Sequence, residues 1–234
     1  MREIKDTFLE DSKISLIAMK NRIDALGNLD IKNINPKKTI VFNIDINNGF
    51  AIEGPLSSPR VKDLIPGTND LLLQFSNLGV QIVAFTDAHT DESLEINRGS
   101  YPMHCKKGSL ESNVVDEIAS IPNILILEKN TTNAFMSCNP LNFEEMNYNT
   151  IGKSELDEVD TYIITGCCSD LCIADSISHL LAYLNQHNRK GEIIVPLNLI
   201  DTYDSPSHNA DLMNIVFLNH MLDNGIKVVK EIIY

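Results

Sequence analysis

The sequence predicts an α/β fold of three layers, α/β/α, around a mostly parallel, six-stranded, Rossmann-like sheet with helices on both faces. Three observations carry that expectation. Six short runs rich in branched apolar residues lack the period-two alternation of a half-exposed strand, as strands covered on both faces require. Helical patterns fall between these runs, so β and α elements alternate. The chain has 234 residues, 43% of them hydrophobic, which suffices for one sizeable core and suits one large domain better than two.

The elements follow in order. Phe8, Ile14, Leu16, Ile17, Met19, Ile23 and Leu26 recur at roughly helical spacing, and Gly27 is a stop signal. Residues 28–36, ending at Pro36, read as a linker, so residues 1–36 form an N-terminal helical extension and linker before a domain at 37–234. The extension reads as an extra helix packed on the domain, with an oligomerisation arm as the alternative; the expected assembly is a homo-oligomer. Strands are expected at Thr39–Ile46, Val80–Thr86, Ile124–Leu127, Thr161–Thr165, Glu192–Val195 and Lys227–Ile232. Helices are expected at Thr68–Leu78, introduced by Pro66-Gly67 and stopped by Gly79, and at Ser109–Ser120, Ser169–His187 and Ser207–Asn224.

Composition excludes several function classes. A formal charge of −13 does not suit a phosphate backbone or an anionic membrane as partner. No apolar run approaches the ~20 residues that cross a bilayer. Met1 to Glu10 mixes charges without an apolar core, so no secretory signal is expected. Five cysteines, three of them crowded at Cys167, Cys168 and Cys172, fit reduced thiols in a cytoplasmic setting better than a disulfide framework.

In a doubly wound sheet, ligands bind beyond the carboxyl ends of the strands. Four clusters sit there. Asp45 ends the first strand, where partial desolvation raises a carboxyl pKa and suits it to accept a proton; its plain structural reading is an Asp opening the turn Asn47-Asn48-Gly49. Asp87 and His89, two apart, point to one side of an extended chain, and His104 returns in the next loop. Two imidazoles and a carboxylate suit Zn²⁺, Fe²⁺ or Mn²⁺ and leave positions open, with Asp91, Glu92 and Glu95 as possible further ligands. Lys129 follows the strand ending at Leu127; alone it reads as a surface lysine. Finally, a buried strand runs into Gly166-Cys-Cys-Ser-Asp-Leu-Cys172 and straight into a helix, with Ser169 or Asp170 as its cap. Cys172 falls in the first turn, where the helix dipole favours a thiolate, whereas Cys167 and Cys168 read as packed small residues. His208 and His220 read as surface or core residues, and Cys105 as a packed thiol.

Together, in this order, the clusters resemble the isochorismatase-like cysteine hydrolase superfamily over roughly Thr39 to Val229. Within it, Asp87-Ala-His89 with Tyr101-Pro-Met-His104-Cys105 is most similar to the nicotinamidase/pyrazinamidase family. The resemblance implies a catalytic triad of Asp45, Lys129 and Cys172. It implies one divalent metal on Asp87, His89 and His104, zinc foremost, with iron or manganese as alternatives. It implies a cis peptide at Cys167–Cys168 that aims the backbone N–H groups of Cys168 and Cys172 as an oxyanion hole, and rings of Phe50 and Tyr101 flanking the substrate. The expected activity is deamidation of nicotinamide or a pyrazinamide-like heteroaromatic amide through a thioester, within NAD metabolism and pyridine nucleotide salvage. The alternative is a cysteine amidase of N-carbamoylsarcosine, ureidoacrylate or maleamate type. The expected partner is thus a small-molecule amide, with no nucleic acid and no membrane. The chain departs from the nicotinamidase pattern where Tyr101 replaces a common Trp, where only acidic residues stand in place of a third His, and where Cys167 and Cys168 replace an apolar pair.

Overall fold

A computed structural model of the chain describes residues 4–99, 101–137 and 159–234. Cys138 lies outside the described residues, as do residues 1–3 of the extension. In chain order the strands are β1 Leu29–Asp30, β2 Thr39–Ile44, β3 Gln81–Asp87, β4 Leu125–Lys129, β5 Thr161–Cys167, β6 Glu192–Pro196, β7 Ile200–Asp201, β8 Lys227–Val229 and β9 Ile232–Ile233. The long helices are α1 Phe8–Asp24, α2 Ile65–Asn77, α3 Ala174–Gln186 and α4 Ala210–Asp223.

The main sheet runs β4-β3-β2-β5-β6-β8, every pairing parallel, with β7 beside the end of β5. This is the expected mostly parallel sheet. Its six long-path strands stand in the order 3-2-1-4-5-6, so the chain reverses its winding direction between β2 and β5. Both faces are covered. Along β2, Ile40, Phe42 and Ile44 point into one cluster with Ile177, Leu180 and Leu218 of α3 and α4. Val41 points into the other, with Leu71, Leu72 and Phe75 of α2. Alternate side chains enter different cores, and all six β2 residues are buried, which is why the run shows no polar alternation.

Several elements differ from expectation. The helix expected at Ser109–Ser120 is two short turns, Leu110–Ser112 and Asp116–Ala119. Between them Asn113 to Val115 is extended and serves the 46–48 loop: Asn48 N donates to Asn113 O, Val115 N donates to Ile46 O, and Val114 bridges Asn47. The strand expected over Lys227–Ile232 is split, because β8 joins the main sheet while β9 pairs with β1 in a second, two-stranded sheet. Residues 28–36, read as a linker, therefore carry a strand and contribute buried Ile31 and Ile34 to the core. Helix α1 lies against α4, where Arg22 bonds Asn219 at 3.0 Å and pairs with Asp223.

Gly166 lets β2 and β5 close up at the reversal point. It pairs with Ile44 at φ +121°, and an added Cβ would lie 1.9 Å from the Ile44 carbonyl oxygen. Both facts exclude a side chain. Gly166→Ala is expected to destabilise the protein by about 3 kcal/mol or more, lowering Tm by roughly 6–12 °C. A thermal melt within about 1 °C of the parent would show that this close approach is not needed.

Candidate active site

At the reversal point, the carboxyl ends of β2, β3, β4 and β5 deliver one side chain cluster. Asp45 follows β2 in a left-handed conformation, φ +56°, with its N–H donated to Phe85 O at 2.9 Å and its carbonyl accepting from Cys167 Sγ at 3.2 Å. Asp87 ends β3 and Lys129 ends β4, directly paired in register. Lys129 Nζ lies 2.7 Å from Asp45 Oδ2 and 3.7 Å from Cys172 Sγ, donates to Thr131 O at 3.1 Å, and forms a close ion pair with Asp87 Oδ1. The structure thus brings Asp45, Lys129 and Cys172 together, all buried. Lys129 is not the surface lysine its local sequence suggests, because β4 carries it to the strand's last position, facing two carboxylates.

Burial sets the protonation states. It raises the Asp45 carboxyl to about 7, helped by the charge of Asp87 and opposed by Lys129. For Lys129 burial alone favours the neutral amine, but Asp45 and Asp87 override it and hold the ammonium charged. Cys172 differs from expectation. It sits in a π-helical turn, Ser169–Ile173, ahead of α3, and burial pushes its thiol well above the usual range, with Lys129 opposing and the carboxylates reinforcing. Burial thus favours a thiol at Cys172, beside a carboxyl whose raised pKa suits it to take up a proton. Neither Ser169 nor Asp170 caps the turn: Ser169 Oγ donates to Asn214 Oδ1 at 2.5 Å, and Asp170 Oδ2 faces His208 Nε2 at 2.7 Å. The Cys167–Cys168 peptide is cis.

Asp87, His89 and His104 also converge, with ligand atoms all within 4.8 Å of one another. Both Nε2 atoms approach Asp87 Oδ2, His89 at 3.6 Å and His104 at 3.7 Å. His89 Nδ1 is tied to Asn130 Oδ1 at 3.1 Å and His104 Nδ1 to Pro102 O at 2.9 Å. An acceptor at Nδ1 keeps the proton there and leaves the Nε2 lone pair for a cation. His89 Nε2 is buried with no hydrogen-bond partner. The donor set, its tautomers and this orphaned nitrogen fit one divalent metal ion. Of the further candidates, Asp91 pairs with Lys106 at the surface at 2.7 Å, Glu92 is exposed, and Glu95 accepts from Thr132 N at 3.2 Å.

A cavity of about 520 Å³ opens over both groups, lined by Phe50, Tyr101, His104, Asp87, Cys168 and Cys172 among others. Phe50 and Tyr101 flank His104 with ring centroids at 5.5 and 6.2 Å. Phe50 is placed by Asn47, which caps its short helix at 3.0 Å and donates to Thr86 Oγ1. Arg60, Tyr203 and Asp204, which sequence reasoning missed, line the same cavity. His208, read as surface or core, stacks on Tyr203 (4.1 Å, 6°) and so ties that wall to Asp170, two residues from Cys172. The two-residue strand β7 just before Tyr203 has no periodicity to betray it.

The isochorismatase domain model matches residues 39–222. Among solved structures, a nicotinamidase/pyrazinamidase from Bacillus subtilis is 19% identical with a TM-score of 0.63, over 82% of this chain and 100% of its own. An N-carbamoylsarcosine amidase from Thermoplasma acidophilum is 20% identical with a TM-score of 0.62, over 82% and 95%. A pyrazinamidase of Pyrococcus horikoshii in complex with zinc is 19% identical with a TM-score of 0.62, over 82% and 98%. None of the curated proteins compared with the sequence matches it. At these identities the likeness is one of fold.

His89→Ala is expected to strip the metal from the purified protein, and Asn130→Ala, by freeing His89 Nδ1, to weaken metal affinity roughly 10–100-fold. Elemental analysis checks both; stoichiometric metal in His89→Ala removes that residue from the ligand set.

Proposed function

The chain belongs to the isochorismatase family, and on that footing we propose that it is a metal-assisted cysteine amidohydrolase that deamidates nicotinamide or a pyrazinamide-like heteroaromatic amide to the acid and ammonia. The observation that carries this reading is the position of Asp87. One oxygen pairs with Lys129 of the Asp45–Lys129–Cys172 cluster, and the other faces the paired imidazoles of His89 and His104. A nucleophile and a site for a ring heteroatom thus open onto one cavity. The alternative amides, carbamoyl or maleamate in type, require the triad alone, so the paired imidazoles favour the heteroaromatic substrate.

The substrate ring lies between Phe50 and Tyr101, its carboxamide toward Cys172. Asp45, with a carboxyl pKa raised to about 7, accepts the thiol proton as sulfur attacks the carbonyl carbon. Backbone N–H groups of Cys168 and Cys172 take the developing oxyanion, and removing one such donor costs about 3–4 kcal/mol in comparable sites. As the C–N bond breaks, Asp45 returns the proton to the departing nitrogen and ammonia leaves a thioester on Cys172. Water then gives a proton to Asp45 and attacks the thioester, releasing the acid and restoring the thiol. Lys129 stays charged throughout and offsets the two carboxylates. Asp87, His89 and His104 would hold a divalent metal, which would supply Lewis acidity toward the ring heteroatom.

Cys172→Ala is expected to lower ammonia release at least about 1,000-fold while circular dichroism and metal content stay at parental values. Near-normal turnover in that variant would sink the mechanism. In the parent protein, ammonia release from nicotinamide or pyrazinamide should exceed that from N-carbamoylsarcosine and fall with chelator; the opposite order would favour the carbamoyl reading.

A further inference from the structure

Arg60 is the only Arg or Lys among the described residues that line the cavity. A lone guanidinium in a substrate cavity ordinarily suggests a carboxylate ligand. Here three carboxylates already surround it, and two of them take its Nε and Nη2 donors. Nε donates to Asp201 Oδ1 and Oδ2 at 3.1 Å each. Nη2 donates to Asp211 Oδ1 at 2.8 Å and lies 3.0 Å from Asp201 Oδ1, and Nη1 is 3.6 Å from Asp204 Oδ2. One positive charge thus faces three negative ones. Asp201 is itself fixed, accepting from Thr202 N at 2.7 Å and Asn214 Nδ2 at 2.8 Å. Of the three carboxylates, Asp204 lines the cavity wall itself, where Glu95 adds a further one.

We propose that Asp201, Asp204 and Asp211 determine specificity by offsetting the charge of Arg60, so that the cavity admits uncharged amides and rejects those carrying a carboxylate. An anionic ligand gains little from a guanidinium whose charge three carboxylates already offset, and it meets the surplus carboxylates. The same field disfavours the carboxylate that amide hydrolysis produces, so product leaves a wall that repels it. The proposal rests on the amidohydrolase reading for the identity of the chemistry, but charge selection itself is a property of binding.

The experiment therefore has a binding arm and a turnover arm. In metal-loaded Cys172→Ala protein, calorimetry compares nicotinamide with nicotinate, a matched neutral and anionic pair. Nicotinamide should bind at least about tenfold tighter. In Asp204→Asn/Asp211→Asn on that background the ratio should fall about tenfold through tighter nicotinate binding, and a further Arg60→Gln should abolish the gain. Asp211→Asn alone, at an exposed position, gives the same direction if the double variant does not fold. Equal affinities at the outset, a ratio unmoved by the Asp substitutions, or no binding of either ligand overturns the proposal. The turnover arm compares kcat/KM for nicotinamide and maleamate in the intact and Asp-substituted enzymes. Absence of turnover alongside a responsive binding ratio would sink the amidohydrolase reading and leave the charge filter standing.

Discussion

The ammonium of Lys129, buried between Asp45 and Asp87, joins the carboxyl ends of three adjacent strands. Taking one cation and two carboxylates out of water is costly, and each group is tolerated only because the others are present. The strand register makes this possible: Asp87 and Lys129 are paired partners on β3 and β4, and Asp45 leaves β2 alongside Phe85. The rest of the site follows. With Lys129 held, Cys172 Sγ has a charged neighbour, Asp45 has a raised but accessible pKa, and Asp87 keeps its second oxygen for the imidazoles.

Asp87 links two pieces of chemistry that would otherwise be separate. The buried cluster holds one more carboxylate than ammonium, a surplus negative charge that would favour a cation on His89 and His104. The two histidines are oriented from outside the cluster, by Asn130 and by the Pro102 carbonyl, so their free nitrogens face inward without competing for Lys129. On the other side of the cavity, Ser169 and Asp170 of the turn that carries Cys172 bond Asn214 and His208 rather than capping α3. The turn is thereby fastened to the segment that carries Asp201, Tyr203 and Asp204, through Asn214 to Asp201 and through His208 stacked on Tyr203.

Much of this was legible in the residues. The uninterrupted apolar runs identified the central strands because both faces of a parallel sheet are covered, and chemistry-bearing residues at their ends marked the rim. Asp45, Asp87, His89 and Cys172 stood out because strand position and residue type are local properties, whereas Lys129 read alone as a surface lysine and gained a role only in company with the others. The helix expected at Ser109–Ser120 was not a helix because the 46–48 loop takes its backbone hydrogen bonds, a demand written elsewhere in the chain.

The sequence by itself determined the sheet class, the rim residues and the type of chemistry they support, since each depends on short-range pattern. Tertiary structure alone decided the rest. Burial pushes the Cys172 thiol well above its usual range despite its place ahead of a helix, with Lys129 opposing. Arg60 meets Asp201 and Asp211 across 141 and 151 residues, and His208 meets Asp170 across 38. No local period encodes such pairings; they exist because the sheet reverses at β2 and β5 and brings distant loops over one opening.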